Sequence, residues 1–224
     1  MSQKFPKWGQ GFCTAAGLPA LSSVHIRPPR FPLITRCRRY DAIVSAPISS
    51  NHPLRRLFTD LVGRELSADR DMAAYIADLL VDFTPVDSLY RIRDSRGKRL
   101  EEVGEMLLES NPLLKARSFD REREVRKHVG DFTLFLTGMF PEYVAALPRR
   151  GLRLDSVIDY VKAGKESYRV VAAFDQFEYR QLAPLFRRLA EQFEYCVFGL
   201  NQVKSRLVAL RQEQYQAWSK ELLS

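Results

Sequence analysis

Residues 182–210 read LAPLFRRLAEQFEYCVFGLNQVKSRLVAL, and no other stretch says as much about the fold. Leu182, Leu189, Cys196, Val203 and Leu210 recur every seven residues, and Phe186, Phe193, Leu200 and Leu207 form a second seven-residue series between them. Seven residues are close to two helical turns, so both series fall on one side of a helix. The pattern predicts one long helix packed lengthwise on others. It fails after Leu210, where Gln214 and Ala217 hold the corresponding places. Phe and Cys are unusual in a coiled-coil seam compared with Leu, Ile and Val, which favours the central helix of a bundle over a seam shared between two chains. The shared seam stays as the alternative.

Moving toward the N-terminus, the same reading gives further helices. Residues 155–174 place Val157, Val161, Gly164, Tyr168 and Val171 on one side. Ser118 opens a longer segment through Phe140, where Val125, His128, Val129, Phe132, Phe135, Leu136 and Met139 share a face and Pro141 ends or kinks the helix. Gly130, Thr133 and Thr137 are small residues three or four apart and would admit a second backbone closely. A helix near 97–110 uses Leu100, Val103 and Leu107. Before it, Ser67 or Asp69 caps a helix with Met72, Ile76, Leu79, Leu80 and Phe83 in one stripe and Asp71, Tyr75, Asp78 and Asp82 along its flank. Pro53 at a first helical position begins another over 53–66. Nothing shows the alternation of a half-buried sheet. The expected fold is an all-α bundle of five or six helices over residues 51–212, with 213–224 a tail or helix end.

The first fifty residues differ from the rest. Residues 1–40 carry seven Lys and Arg and no Asp or Glu, so they hold almost all of the chain's net charge of +8. Seven of the twelve prolines fall within the first 53 positions. Residues 1–50 therefore read as a basic, extended or disordered arm. A cleaved targeting segment and an upstream-start extension are alternative readings of the same composition. Nucleic acid or anionic lipid would be met only through residues 1–40, since the remainder is nearly neutral. At 224 residues and 46% hydrophobic, the chain is long enough to bury a core, and it contains no run that spans a membrane. Three scattered cysteines make no disulfide framework. A soluble, cytoplasmic protein is expected.

Chemistry is sparse. No phosphate-cradling glycine loop, GxSxG, HExxH or paired CxxC occurs. Cys196 sits on the heptad face, where an apolar setting makes a thiol inert. One cluster combines a histidine with carboxylates at helical spacing: His128, with Glu124 four residues before it and Asp131 three after. Bundles build metal sites from such side chains aimed inward, which makes these three the candidate metal ligands, for iron or manganese, with His128 also a candidate axial haem ligand. Facing carboxylates from the Asp71 to Asp82 row would complete such a set. The competing reading is a core-edge histidine bonded to Glu124, Asp131 or a backbone carbonyl. No cofactor is favoured. The leading expectation is a non-catalytic helical bundle that acts through a protein partner or as a homo-oligomer; the alternatives are a metal or haem protein centred on His128, and contact with nucleic acid or anionic membrane through the arm.

Overall fold

The computed structural model describes residues 52–111, 118–147, 157–176 and 179–223. The basic arm, with Cys13 and Cys37, lies outside them. Within the described residues the chain is all-helical: α1 Pro53–Glu65, α2 Arg70–Asp82, a 3-10 turn Val86–Tyr90, α3 Val103–Glu109, α4 Phe119–Met139, α5 Pro141–Ala146, α6 Val157–Ala173, α7 Ala183–Glu191, α8 Phe193–Ala209 and α9 Glu213–Leu223. Extended pairing among these residues is limited to one isolated bridge between Arg93 and Arg99.

Helix starts follow the capping chemistry in the sequence. His52 accepts the Leu54 N–H ahead of Pro53. Asp69, rather than Ser67, caps α2 by accepting from Asp71 and Met72 at 3.0 and 3.1 Å. Ser118 caps α4 by accepting from Arg121 at 3.1 Å. At the other end of α4, Pro141 lacks an N–H and opens α5.

The central element is α4 and not the C-terminal heptad segment. From His128 to Met139 every α4 residue is buried, so this half of the helix is covered on all sides, chiefly by α6 and α8.

The heptad segment is not one helix but two, interrupted at Gln192. Gln192 still donates to the Arg188 carbonyl and accepts from Cys196, so the chain bends without reversing. The bend lets the apolar stripe serve two partners. Phe186 of α7 contacts Tyr75 of α2 and Tyr168 of α6, while Arg188 pairs with Asp69 and Asp71. After the bend, α8 runs along α4 and α1, with Arg206 on Glu65 and Lys204 on Glu142. Phe186, Leu189, Phe193, Cys196, Leu200, Val203 and Leu207 are all buried as the heptads require, whereas the terminal members Leu182 and Leu210 are exposed.

Residues 213–223 form a helix of their own that docks on the core. Trp218 is fully buried: it stacks on Phe58, meets Phe135 edge-on, and its indole N–H donates to the Phe83 carbonyl at 2.8 Å. Tyr215 stacks on Phe140, and Leu222 is buried.

Candidate functional site

The most polar point of the interior lies halfway along α4. Lys127 and Asp131 are four residues apart on one helical face, and Lys127 Nζ donates to Asp131 Oδ2 at 2.7 Å. The other carboxylate oxygen, Oδ1, accepts from the Tyr75 hydroxyl of α2 at 2.5 Å and from the Tyr168 hydroxyl of α6 at 2.9 Å. One carboxylate therefore ties three helices together, and Asp131 is buried.

Tyr168 reaches it because of the small residues on α4. A methyl group on Gly130 would overlap the Tyr168 ring, and one on Gly164, a turn earlier on α6, would overlap Thr133 Oγ1 and the Phe193 ring. The stripe expected to admit a close neighbour does so, and the neighbour is α6. Thr133 and Thr137 turn their polarity inward, donating to the Val129 and Thr133 carbonyls at 2.7 Å each.

Burial acts to raise the Asp131 carboxyl, but the Lys127 ammonium, the hydrogen bonds from Lys127 and Tyr75, and the more distant Arg91 outweigh it and hold the group below the ordinary aspartate value. Desolvation and the adjacent carboxylate push both the Tyr75 and Tyr168 phenols well above 10. The carboxyl is thus shifted toward its ionised form and both phenols toward their neutral form, an arrangement suited to holding three helices together.

The three candidate ligands do not converge. His128 is fully buried, with its ring edge-on to Phe83 and Nε2 at 3.0 Å from the Leu89 carbonyl. A carbonyl can only accept, so Nε2 carries the hydrogen and Nδ1 presents a bare lone pair. That Nδ1 has no protein partner. Burial, reinforced by the nearby Arg91 charge, lowers the His128 pKa to about 3. Glu124 is exposed and pairs with Arg121 at 3.1 Å. Asp131 is committed to Lys127, Tyr75 and Tyr168. Among the described residues no group of three His, Cys, Asp or Glu side chains lies close enough to hold a metal ion.

The flank of α2 is likewise engaged in pairs: Asp71 with Arg188 and Asp78 with Arg55. Cys196 is buried, and burial, with Asp69 as a lesser contribution, raises its thiol to about 12. Sequence spacing exposes the Lys127–Asp131 pair, whereas Tyr75 and Tyr168 lie 56 and 37 residues from Asp131 and carry no local signal of joining it. No helix among the described residues is long and apolar enough to cross a membrane. Set beside known proteins, the chain matches no family model, no curated protein and no solved structure at a significant level.

Proposed function

We propose that this protein is a non-catalytic helical bundle that acts by contact with other protein surfaces, a second copy of itself included, in the cytoplasm. The observation that carries this reading is the state of its reactive side chains. Asp131 is saturated by two phenols and an ammonium, His128 is neutral against a backbone carbonyl, and the Cys196 thiol is buried and un-ionised. Each is engaged in or shielded by packing, while Phe198, Val208 and Leu210 face outward. Purified full-length protein should carry neither stoichiometric metal nor a haem spectrum, and its mass by light scattering should rise with concentration or on adding its partner. One metal or haem per chain, lost in His128→Gln, would overturn the proposal.

One observation favours the second reading, a metal or haem protein centred on His128. The Nδ1 lone pair is buried and unmatched, which is the atom a ligand would use. The same metal and absorbance measurement separates the two.

A further inference from the structure

The turn between α8 and α9 contradicts the sequence that makes it. Arg211 donates to the Val208 carbonyl and Gln212 to the Leu207 carbonyl, both at 3.0 Å, and Arg211 has φ 50. This is the hydrogen-bond pattern of a helix closed by a left-handed residue, a position that glycine normally fills because it has no Cβ to strain. Here it is arginine, and residues 208–214 read VALRQEQ, with no Gly, Pro, Asn, Asp or Ser. Those residues favour an uninterrupted helix.

The apolar stripe also runs through the turn. If residues 193–223 are wound as one helix at 100° per residue, Tyr215, Trp218 and Leu222 fall within about a quarter-turn of the stripe made by Phe193, Leu200, Val203 and Leu207. The sequence pattern thus fits two arrangements: α9 folded back on its own core, as in the structure, or α8 and α9 merged into one amphipathic helix about 46 Å long. In the merged form Trp218 leaves its seat among Phe58, Phe83 and Phe135. A matching seat exists on another copy whose own α9 has left. The contacts that hold α9 are reproduced there: Trp218 to the Phe83 carbonyl and Gln214 Nε2 to the Thr84 carbonyl. Val208 and Leu210, exposed beside the turn, supply apolar surface for a hinge-to-hinge contact that the monomer lacks.

We propose that two copies of this chain pair by exchanging α9, with Leu210, Arg211 and Gln212 as the hinge. Exchange of an identical element costs little because it re-forms the same interface, and the relaxed hinge supplies the bias. The proposal rests on the self-assembly side of the function argued above and names the partner as a second copy.

The test uses the full chain with Cys13→Ser, Cys37→Ser and Cys196→Ala, into which Thr84→Cys and Gln214→Cys place one thiol on each side of the α9 contact. A short bismaleimide is applied to the separated monomer and dimer fractions, obtained after concentration and brief warming. The monomer should cross-link within one chain, and the dimer should run as a covalent dimer on a denaturing gel. In the otherwise unaltered protein, Arg211→Gly favours the closed turn and weakens the merged helix at both hinges, so it should raise the dimer dissociation constant at least about tenfold. Arg211→Val, which tolerates a positive φ poorly, should lower it. A dimer whose cross-link stays within each chain leaves self-assembly standing and overturns the exchange. Protein that stays monomeric at every concentration, or a dimer unmoved by Arg211→Gly, overturns it as well.

Discussion

The Tyr168 hydroxyl of α6 lies 2.9 Å from Asp131 Oδ1 of α4, and its ring lies flush against the backbone of Gly130, the residue next to that aspartate. Adjacent positions on one helix therefore supply both the space and the acceptor for a single tyrosine.

Gly130→Ala tests the space. The added methyl overlaps the Tyr168 ring, and overpacking costs about 1–3 kcal/mol, offset in part by the better helix propensity of alanine, about 1 kcal/mol. A lower melting temperature is expected, and Gly130→Ala should cost less in a Tyr168→Leu background than in the parent. A variant as stable as the parent would show that α6 can move away freely.

Asp131→Asn tests the acceptor. It leaves Lys127 without its anion and the half-buried Tyr75 and buried Tyr168 phenols without a charged partner, so a loss of about 2–4 kcal/mol is expected, reduced from the fully buried case because Lys127 reaches solvent. Tyr168→Phe removes one bond to that carboxylate and should cost about 1.5–3 kcal/mol. The folded carboxyl sits below its unfolded value of 3.8. Its contribution is therefore present in full above that value and is lost as the pH falls through the lower folded value. Denaturant melts of parent and Asn variant should converge at the acid end of the range.

His128 gives a separate acid dependence at higher pH. Its pKa is about 3 in the folded protein against 6.5 in an unfolded chain, so between those values the unfolded state binds the extra proton and stability falls as pH is lowered. Near pH 3 the loss reaches about 4 kcal/mol. His128→Gln keeps a donor for the Leu89 carbonyl, should cost about 1–2 kcal/mol at pH 7, and should flatten the slope between pH 6.5 and 4. An unchanged slope would show that other groups set it.

Cys196 in a chain with Cys13→Ser and Cys37→Ser should resist thiol reagents while the protein is folded, because its thiol is buried and raised to about 12. Labelling should follow global unfolding in its dependence on denaturant. Fast labelling in native buffer would mean that α8 opens from α4 without unfolding.

Much of this fold can be read residue by residue from local rules. Pro53, Asp69 and Ser118 mark helix starts because each solves the problem of unpaired N–H groups within a few residues of chain, and Pro141 marks the end of α4. The small stripe at Gly130, Thr133 and Thr137 announces a close neighbour for the same kind of reason. The bend at Gln192 is not legible. Its N–H and carbonyl keep their bonds to Arg188 and Cys196, so the heptad register passes through undisturbed, while the two helices cover α6 and α2 on one side of the break and α4 and α1 on the other. The turn at Arg211 is hidden more deeply, since its residues favour the opposite conformation. At the candidate site, helical spacing puts Glu124, His128 and Asp131 on neighbouring positions. Burial then separates them: Glu124 goes to water, His128 to a carbonyl and Asp131 to two tyrosines that no local pattern connects to it.

The seat of Trp218 gives the molecule its own optical signal. The chain has two tryptophans, Trp8 and Trp218, so Trp8→Phe leaves one indole, walled by Phe58 and Phe135 and bonded to the Phe83 carbonyl. Its emission should lie to the blue while that helix is seated and shift to the red when it lifts into water. A seat on a neighbour is the same seat, so the colour is blind to which chain supplies the indole. Energy transfer between a donor placed on one chain and an acceptor on another carries that second piece of information, and recording both separates departure from exchange in a single mixing experiment.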